Sequence, residues 1–181
     1  MKLEKTNLKD CFILTPQVYE DERGTFNETF NAEKFTAQTG IHTTFVQDNQ
    51  STSRFGVIRG LHFQKGAYAQ AKLVRVIKGR VLDIVVDLRK GSPSFGESVS
   101  IVISEENRKQ LFVPRGFAHG FSVLEDNTIF AYKCDGFYNK ESEHGIIYND
   151  ATLALDWHLG NTEMIISEKD LELPTFAALA L

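Results

Sequence analysis

Cysteine is scarce: Cys11 and Cys134 are the only two in 181 residues. Two thiols cannot build a disulfide framework, so a chain of the reducing cytoplasm is expected. Long apolar runs are missing too. None approaches the ~18 residues of a membrane-spanning helix, and the opening Met1-Lys2-Leu3-Glu4-Lys5-Thr6 lacks the apolar heart of a signal peptide. There is no basic excess: 20 Lys and Arg stand against 24 Asp and Glu, a net charge of -4. Neither a membrane nor a nucleic acid is therefore an expected partner. An anionic ligand would have to be held by a few placed cations rather than by the global field. Four prolines and 13 glycines are too few for a linker or a collagen-like chain. Repeats with a period of ~20–50 residues are absent. So is the Gly-x-Gly-x-x-Gly fingerprint of a dinucleotide site, and no nicotinamide cofactor is expected. With 42% apolar and 24% charged residues the balance is that of a globular protein, and the length fits one domain spanning residues 1–181.

Aromatic residues are plentiful: fourteen Phe, five Tyr and one Trp. With many Val and Ile they favour strands. Apolar and polar residues alternate from Lys72 to Lys78, from Arg80 to Asp87 and from Val99 to Ile103. Gln110 to Val113, Gly120 to Leu124 and Ile129 to Lys133 are shorter runs of strand type, and Val57 to Gln64 reads as a strand that carries Arg59 and His62. Turn signals separate them, at Lys78-Gly79, Lys90-Gly91-Ser92-Pro93, Pro114-Arg115-Gly116 and Glu125-Asp126-Asn127. Short strands at roughly 8–12-residue spacing predict a sandwich or barrel. The expected architecture is all-β, a double-sheet jelly roll with a short N-terminal arm. Such an open arm pairs readily with a second copy, so a homodimer is expected. Helices are few. Asn31 is placed to cap Ala32 to Thr39, with Gly40 ending it in a left-handed turn, and Ser167 to Leu171 fits one helical turn with Ser167 as cap.

In a barrel, alternate side chains point inward, and an inward polar group is costly unless it is paired or serves a ligand. Several segments carry such groups. Gln47-Asp48-Asn49-Gln50 gathers three amides and a carboxylate. Arg59 and His62 flank Gly60, Lys72 opens one strand, Asp83 lies in the next, and His119 follows the Pro114-Arg115-Gly116 turn. Tyr132 and Tyr138 supply phenols. Taken singly, each has an ordinary reading: a satisfied core histidine, a packing tyrosine, a solvated lysine, a turn-capping amide. Asp83 could pair with Lys72 or His62, and Asp48 could orient an arginine.

The spacing Pro114-x-Gly116-x-x-His119 resembles the second signature of the cupin superfamily. Metal-binding cupins also carry a His-x-His pair, and the matching place here reads Leu61-His62-Phe63-Gln64. Two histidines fall short of the three or four protein ligands of a stable metal site, so no metal is expected. The segments Phe45-Val46-Gln47-Asp48-Asn49, Arg59-Gly60-Leu61-His62-Phe63-Gln64, Lys72-Leu73-Val74, Ser92-Pro93-Ser94-Phe95-Gly96 and Gly116-Phe117-Ala118-His119-Gly120-Phe121 resemble, in order, the dTDP-4-dehydrorhamnose 3,5-epimerase family. Asp21-Glu22-Arg23-Gly24 and Ser167-Glu168-Lys169-Asp170 fit the same pattern. Two departures are Phe112, where Trp is common, and Tyr148-Asn149-Asp150-Ala151 in place of Trp-Asn-Asp-Pro.

The resemblance implies a cupin-type jelly roll, a homodimer, no metal or other cofactor, and a dTDP-sugar substrate. The implied reaction inverts C3 and C5 of dTDP-4-keto-6-deoxy-D-glucose. The alternative is a mono-epimerase acting at C3 or C5 alone on a related sugar. A sugar-nucleotide binder has no need of an inward His–Lys–Tyr set, and a metal-dependent cupin oxygenase would need the missing His-x-His. By motif position, His62 is implied as base, Asp170 as its orienting carboxylate, Tyr132 as proton donor on the opposite face and Lys72 as the cation beside the enolate. Arg23, Glu28, Gln47, Asp48, Asn49, Arg59, His119, Glu143 and Lys169 fall at substrate-binding positions, and Tyr138 where a ring stacks on thymine. The chemistry suits these types. An imidazole titrates near neutrality and can take a proton from a carbon beside a ketone. A carboxylate fixes its tautomer and stabilises the imidazolium. A phenol can return a proton from the other side, an ammonium can hold the developing oxyanion, and Arg forks match a pyrophosphate.

Overall fold

The computed structural model describes residues 1–160 and 162–179. Alternation of apolar side chains builds two facing sheets. The N-terminal strands are β1 (Lys2–Lys5), β2 (Phe12–Thr15), β3 (Val18–Asp21) and β4 (Gly24–Asn27), followed by helix α1 (Ala32–Thr39). Then come β5 (Gln47–Ser53), β6 (Ile58–Gln64), β7 (Lys72–Lys78), β8 (Arg80–Asp87), β9 (Ser98–Ser104), β10 (Gln110–Val113), β11 (Phe117–Val123), β12 (Thr128–Cys134) and β13 (Glu143–Gly145), with a one-turn helix α2 (Glu168–Leu171) near the end. One sheet has the order β1-β2-β10-β7-β12-β5, the other β13-β6-β11-β8-β9, and β3-β4 stands apart as a hairpin. This is the expected jelly roll with its arm.

Strand β8 shows why the chain chooses this shape. Its odd positions, Val81 and Val85, join Val74, Val76, Leu111, Phe117, Phe121 and Phe130 in the core between the sheets. Its even positions, Leu82, Ile84 and Val86, pack on the outer face against Trp157 and the partly buried Leu153, Leu155, Met164 and Ile166 of the C-terminal segment. A strand covered on both faces reads as a nearly continuous apolar run, and β8 does. Strand β11 is buried throughout for the same reason. On the other sheet, α1 lays Phe35 over Phe12, Leu14, Leu73 and Phe112. The Asn31 Oδ1 cap accepts the Lys34 N–H at 3.1 Å, and Gly40 closes the helix at φ +72°, as the sequence predicts.

Among the differences from expectation are two in the sheet that carries His62. Strand β11 begins at Phe117 rather than Gly120, because Gly116 at φ +82° completes the turn at once and the chain is extended from the next residue. The edge strand β13 carries only Glu-His-Gly, too short and polar to read as a strand, and pairs with β6 through Gly145 opposite His62.

Candidate active site

A one-residue phase shift in β6 brings Arg59 and His62 to the same face. They lie three apart, so strict alternation would oppose them. On β11 their partners are Phe121 and His119, two apart, and the register shift between these absorbs the extra residue. Gly60 makes it possible. A Cβ there would meet His119 O at 2.6 Å and Gly120 Cα at 2.7 Å, and its φ is +109°.

His62 looks into a cavity of about 270 Å³ lined by Gln47, Asn49, His62, Phe63, Gln64, Gln70, Lys72, Tyr132, Tyr138 and Glu143. His62 comes from one sheet; Lys72 and Tyr132 come from β7 and β12 of the other. His62 Nε2 lies 2.7 Å from Asp170 Oδ1, with the histidine side chain 28% exposed and the aspartate 6%. The second Asp170 oxygen accepts the Gly60 N–H at 3.3 Å. Asp170 is carried by α2, which the preceding segment ties to the sheet: Ile165 bonds with Gly56 and Ile58 across a parallel bridge. Burial opposes the Asp170 charge, but the His62 hydrogen bond and charge, the Gly60 N–H and Lys169 outweigh it and hold the carboxyl below its usual range.

Lys72 is half-buried, with its Nζ 5.8 Å from the Tyr132 ring centroid. Burial pulls its ammonium below the usual range, while Cys134, Asp83 and Glu143 oppose the drop. Burial pushes the Tyr132 phenol up, so it keeps its proton at neutral pH. Behind these groups His119 Nε2 meets Asp83 Oδ2 at 2.9 Å, both side chains almost fully buried. The hydrogen-bond partner of Asp83 is therefore His119, which the sequence did not suggest, and not His62, which bonds Asp170.

At the rim, Glu143 Oε2 accepts from Tyr138 Oη at 2.8 Å and from Lys169 Nζ at 2.6 Å. The loop bearing Tyr138 is held by three glutamines. Gln47 Oε1 accepts the Tyr138 N–H at 3.0 Å, Gln64 exchanges two hydrogen bonds with the Asn139 backbone, and Gln70 Nε2 donates to Gly136 O at 2.7 Å. Gln64 and Gln70 line the cavity without having been singled out as site residues; a glutamine at a strand end or in a connection carries no distinctive signal. Arg59 does not line the cavity. It donates to Ser53 Oγ at 3.2 Å through its terminal nitrogen and is near enough for its charge to act on Tyr132.

His119 and Lys169 are not in the lining either, and three more residues implied for substrate binding are engaged elsewhere within the chain. Asp48 points to the opposite face of β5 from Gln47 and Asn49 and pairs with Lys133 at 3.0 Å. Glu28 bonds Asn31 and Lys34 at the start of α1. Arg23 sits at the tip of the β3–β4 hairpin, paired only with Asp21 among the described residues. Among the described residues, no three His, Cys, Asp or Glu side chains are grouped so as to hold a metal ion. No helix among them is long and apolar enough to cross a membrane.

The family model for dTDP-4-dehydrorhamnose 3,5-epimerase matches residues 5–178. The dTDP-4-dehydrorhamnose 3,5-epimerase of Shigella flexneri is 47% identical over 171 residues, 94% of this chain and 93% of the relative. The crystal structure of the Elizabethkingia anophelis enzyme of that name superposes with a TM-score of 0.95 at 55% identity, covering 98% of this chain and 97% of the other. The dTDP-6-deoxy-D-glucose-3,5-epimerase of Legionella pneumophila, solved in complex with dTDP-4-keto-L-rhamnose, gives 0.94 at 44% identity, covering 98% and 94%. Sequence motifs, barrel and cavity thus converge, and the chain belongs to the dTDP-4-dehydrorhamnose 3,5-epimerase family.

Proposed function

We propose that this protein inverts C3 and C5 of dTDP-4-keto-6-deoxy-D-glucose, giving dTDP-4-keto-L-rhamnose through enolate intermediates. The observation that carries the reading is the placement of His62 and Tyr132 on opposing sheets around one cavity that Lys72 also lines. His62 takes the proton from a carbon beside the ketone. Asp170, 2.7 Å away, orients the ring and stabilises the imidazolium. The Lys72 ammonium holds the charge that develops on the ketone oxygen. Tyr132, kept protonated by burial, returns a proton from the other face. The same set then serves the second carbon. Proton out and proton in leave no net redox change, so the step asks for no electron carrier.

Tyr138, half exposed at the mouth, offers its ring to the thymine, with Gln47, Asn49, Glu143 and Lys169 around it. Arg59 faces the pyrophosphate, and His119 closes the sugar end of the pocket. The protein works as a homodimer in the cytoplasm. The exposed hairpin β3–β4, with Phe26 70% exposed, supports the first statement, and the two unpaired buried thiols support the second. In this dimer the arm brings Arg23 to the neighbouring copy's pocket, and Glu28 and Asp48 lie on surfaces that face that copy.

The Legionella relative holds the doubly inverted sugar, which favours two-carbon inversion over the mono-epimerase reading. Incubation of the substrate with the protein in deuterated water tests this. Deuterium is expected at both carbons flanking the ketone. Label at one carbon alone makes the protein a mono-epimerase, and no label at either overturns the proposal.

A further inference from the structure

Asp83 and His119 form a second acid–imidazole pair, deeper than His62 and Asp170, and no step above uses its carboxylate. Asp83 is 0% exposed. Its Oδ2 meets His119 Nε2 at 2.9 Å, but its Oδ1 is a buried oxygen with no hydrogen-bond partner among the described residues. A desolvated carboxylate oxygen left without a donor is expensive and marks a strained or functional position. Lys72 is the converse case. The Lys72 ammonium meets no hydrogen-bond acceptor among the described residues, only the Tyr132 ring at 5.8 Å. Each charge favours the other: Asp83 opposes the drop that burial imposes on Lys72, and Lys72, with His119, opposes the rise that burial imposes on Asp83.

Other groups around Lys72 do not replace this partner. Cys134, its register neighbour on β12, and Tyr132 are both kept neutral by burial. Glu143 of β13 is already engaged by Lys169 and Tyr138. His62 of β6 is paired with Asp170, and His119 of β11 with Asp83 itself. A lone ammonium in such a lining would shed its proton rather than remain a cation.

We propose that Asp83 is a positioning residue whose Oδ2 fixes the His119 ring while its Oδ1 serves as counter-ion to the Lys72 ammonium, keeping charged the group that receives the enolate oxygen. The inference deepens the epimerase reading and rests on it. The same pair joins the two sheets, since Asp83 belongs to β8 and Lys72 to β7.

Asp83→Asn separates charge from shape, because the amide oxygen can still accept from His119. Protein labelled with 15N at lysine Nζ reports the Lys72 titration directly by NMR, and the pH profile of kcat reports it through turnover. Removing the anion makes the ammonium easier to deprotonate. The Lys72 midpoint in Asp83→Asn is therefore expected to fall by about one pH unit, and the alkaline limb of kcat moves to lower pH with it. A variant that loses thermal stability while both midpoints stay in place overturns the proposal. Should Asp83→Asn not fold, the coupling is read from the other side. By reciprocity, Lys72→Met raises the 13C titration midpoint of the Asp83 carboxyl, and an unmoved midpoint overturns the proposal. Wild-type protein that exchanges no substrate protons sinks the epimerase reading instead, and the Lys72 midpoint still decides the electrostatic pairing.

Discussion

His62 and Tyr132 divide the proposed reaction by face, so their substitutions should fail differently. General acid–base groups contribute roughly 10²–10⁴ each in rate. His62→Ala is expected to remove proton exchange to that extent while dTDP binding, measured by calorimetry, stays close to wild type, because the rim that meets the nucleotide is untouched. Tyr132→Phe keeps the ring and loses the proton. It should slow inversion yet still allow deuterium to wash in at the face His62 serves. A Tyr132→Phe protein that inverts at the wild-type rate removes Tyr132 from the mechanism. Much of this site was legible in the chain. His62, Lys72 and Tyr132 break an apolar alternation on three strands, and the barrel brings them into one lining. The hydrogen bond between Asp83 and His119 was not legible. That depends on the register that sets Phe121 opposite Asp83 and His119 opposite Val85 on the neighbouring strand, which no local pattern encodes.

Strands and helices decide whether those side chains meet. The doubly covered β8 and the alternating β7 announced themselves by composition, and their observed bounds match the sequence expectation. The phase shift in β6 did not, because it lies in the pairing with β11 rather than in either strand. Helix α2 is the weakest support of the dyad. It is one turn long, capped by Ser167, whose Oγ accepts the Asp170 N–H at 3.2 Å. Losing such a cap costs ~1 kcal/mol, here concentrated on the turn that presents Asp170 to His62. Ser167→Ala should therefore lower kcat by up to about fivefold with little change in KM, since the cap does not touch the nucleotide rim. Amide hydrogen exchange should quicken across residues 168–171 and not in β8. A variant with unchanged exchange in that turn would show that packing against β6, not the cap, holds Asp170.

At the scale of the whole molecule, the hairpin β3–β4 is the part a single chain does not explain. Val18, Tyr19 and Phe26 are 39%, 56% and 70% exposed, a set of large apolar side chains that one copy leaves in water. At its tip the Arg23 side chain is 85% exposed and pairs only with Asp21 among the described residues, outside the lining of the cavity where a pyrophosphate would lie. An arginine so placed reaches substrate if the arm crosses to a second copy, and isologous pairing would then furnish each cavity with its neighbour's Arg23. The consequence can be read without a structure of the dimer. Arg23→Ala should raise KM, and His62→Ala should be inactive. Co-expressed, the two variants form hybrids in which one cavity combines an intact His62 with an intact Arg23 from the other chain. With random pairing, about a quarter of all cavities are repaired in this way. Activity at low substrate should therefore exceed the mean of the two separate variants. Were Arg23 to act within its own chain, every cavity in the hybrid would lack one of the two groups, and mixing would restore nothing.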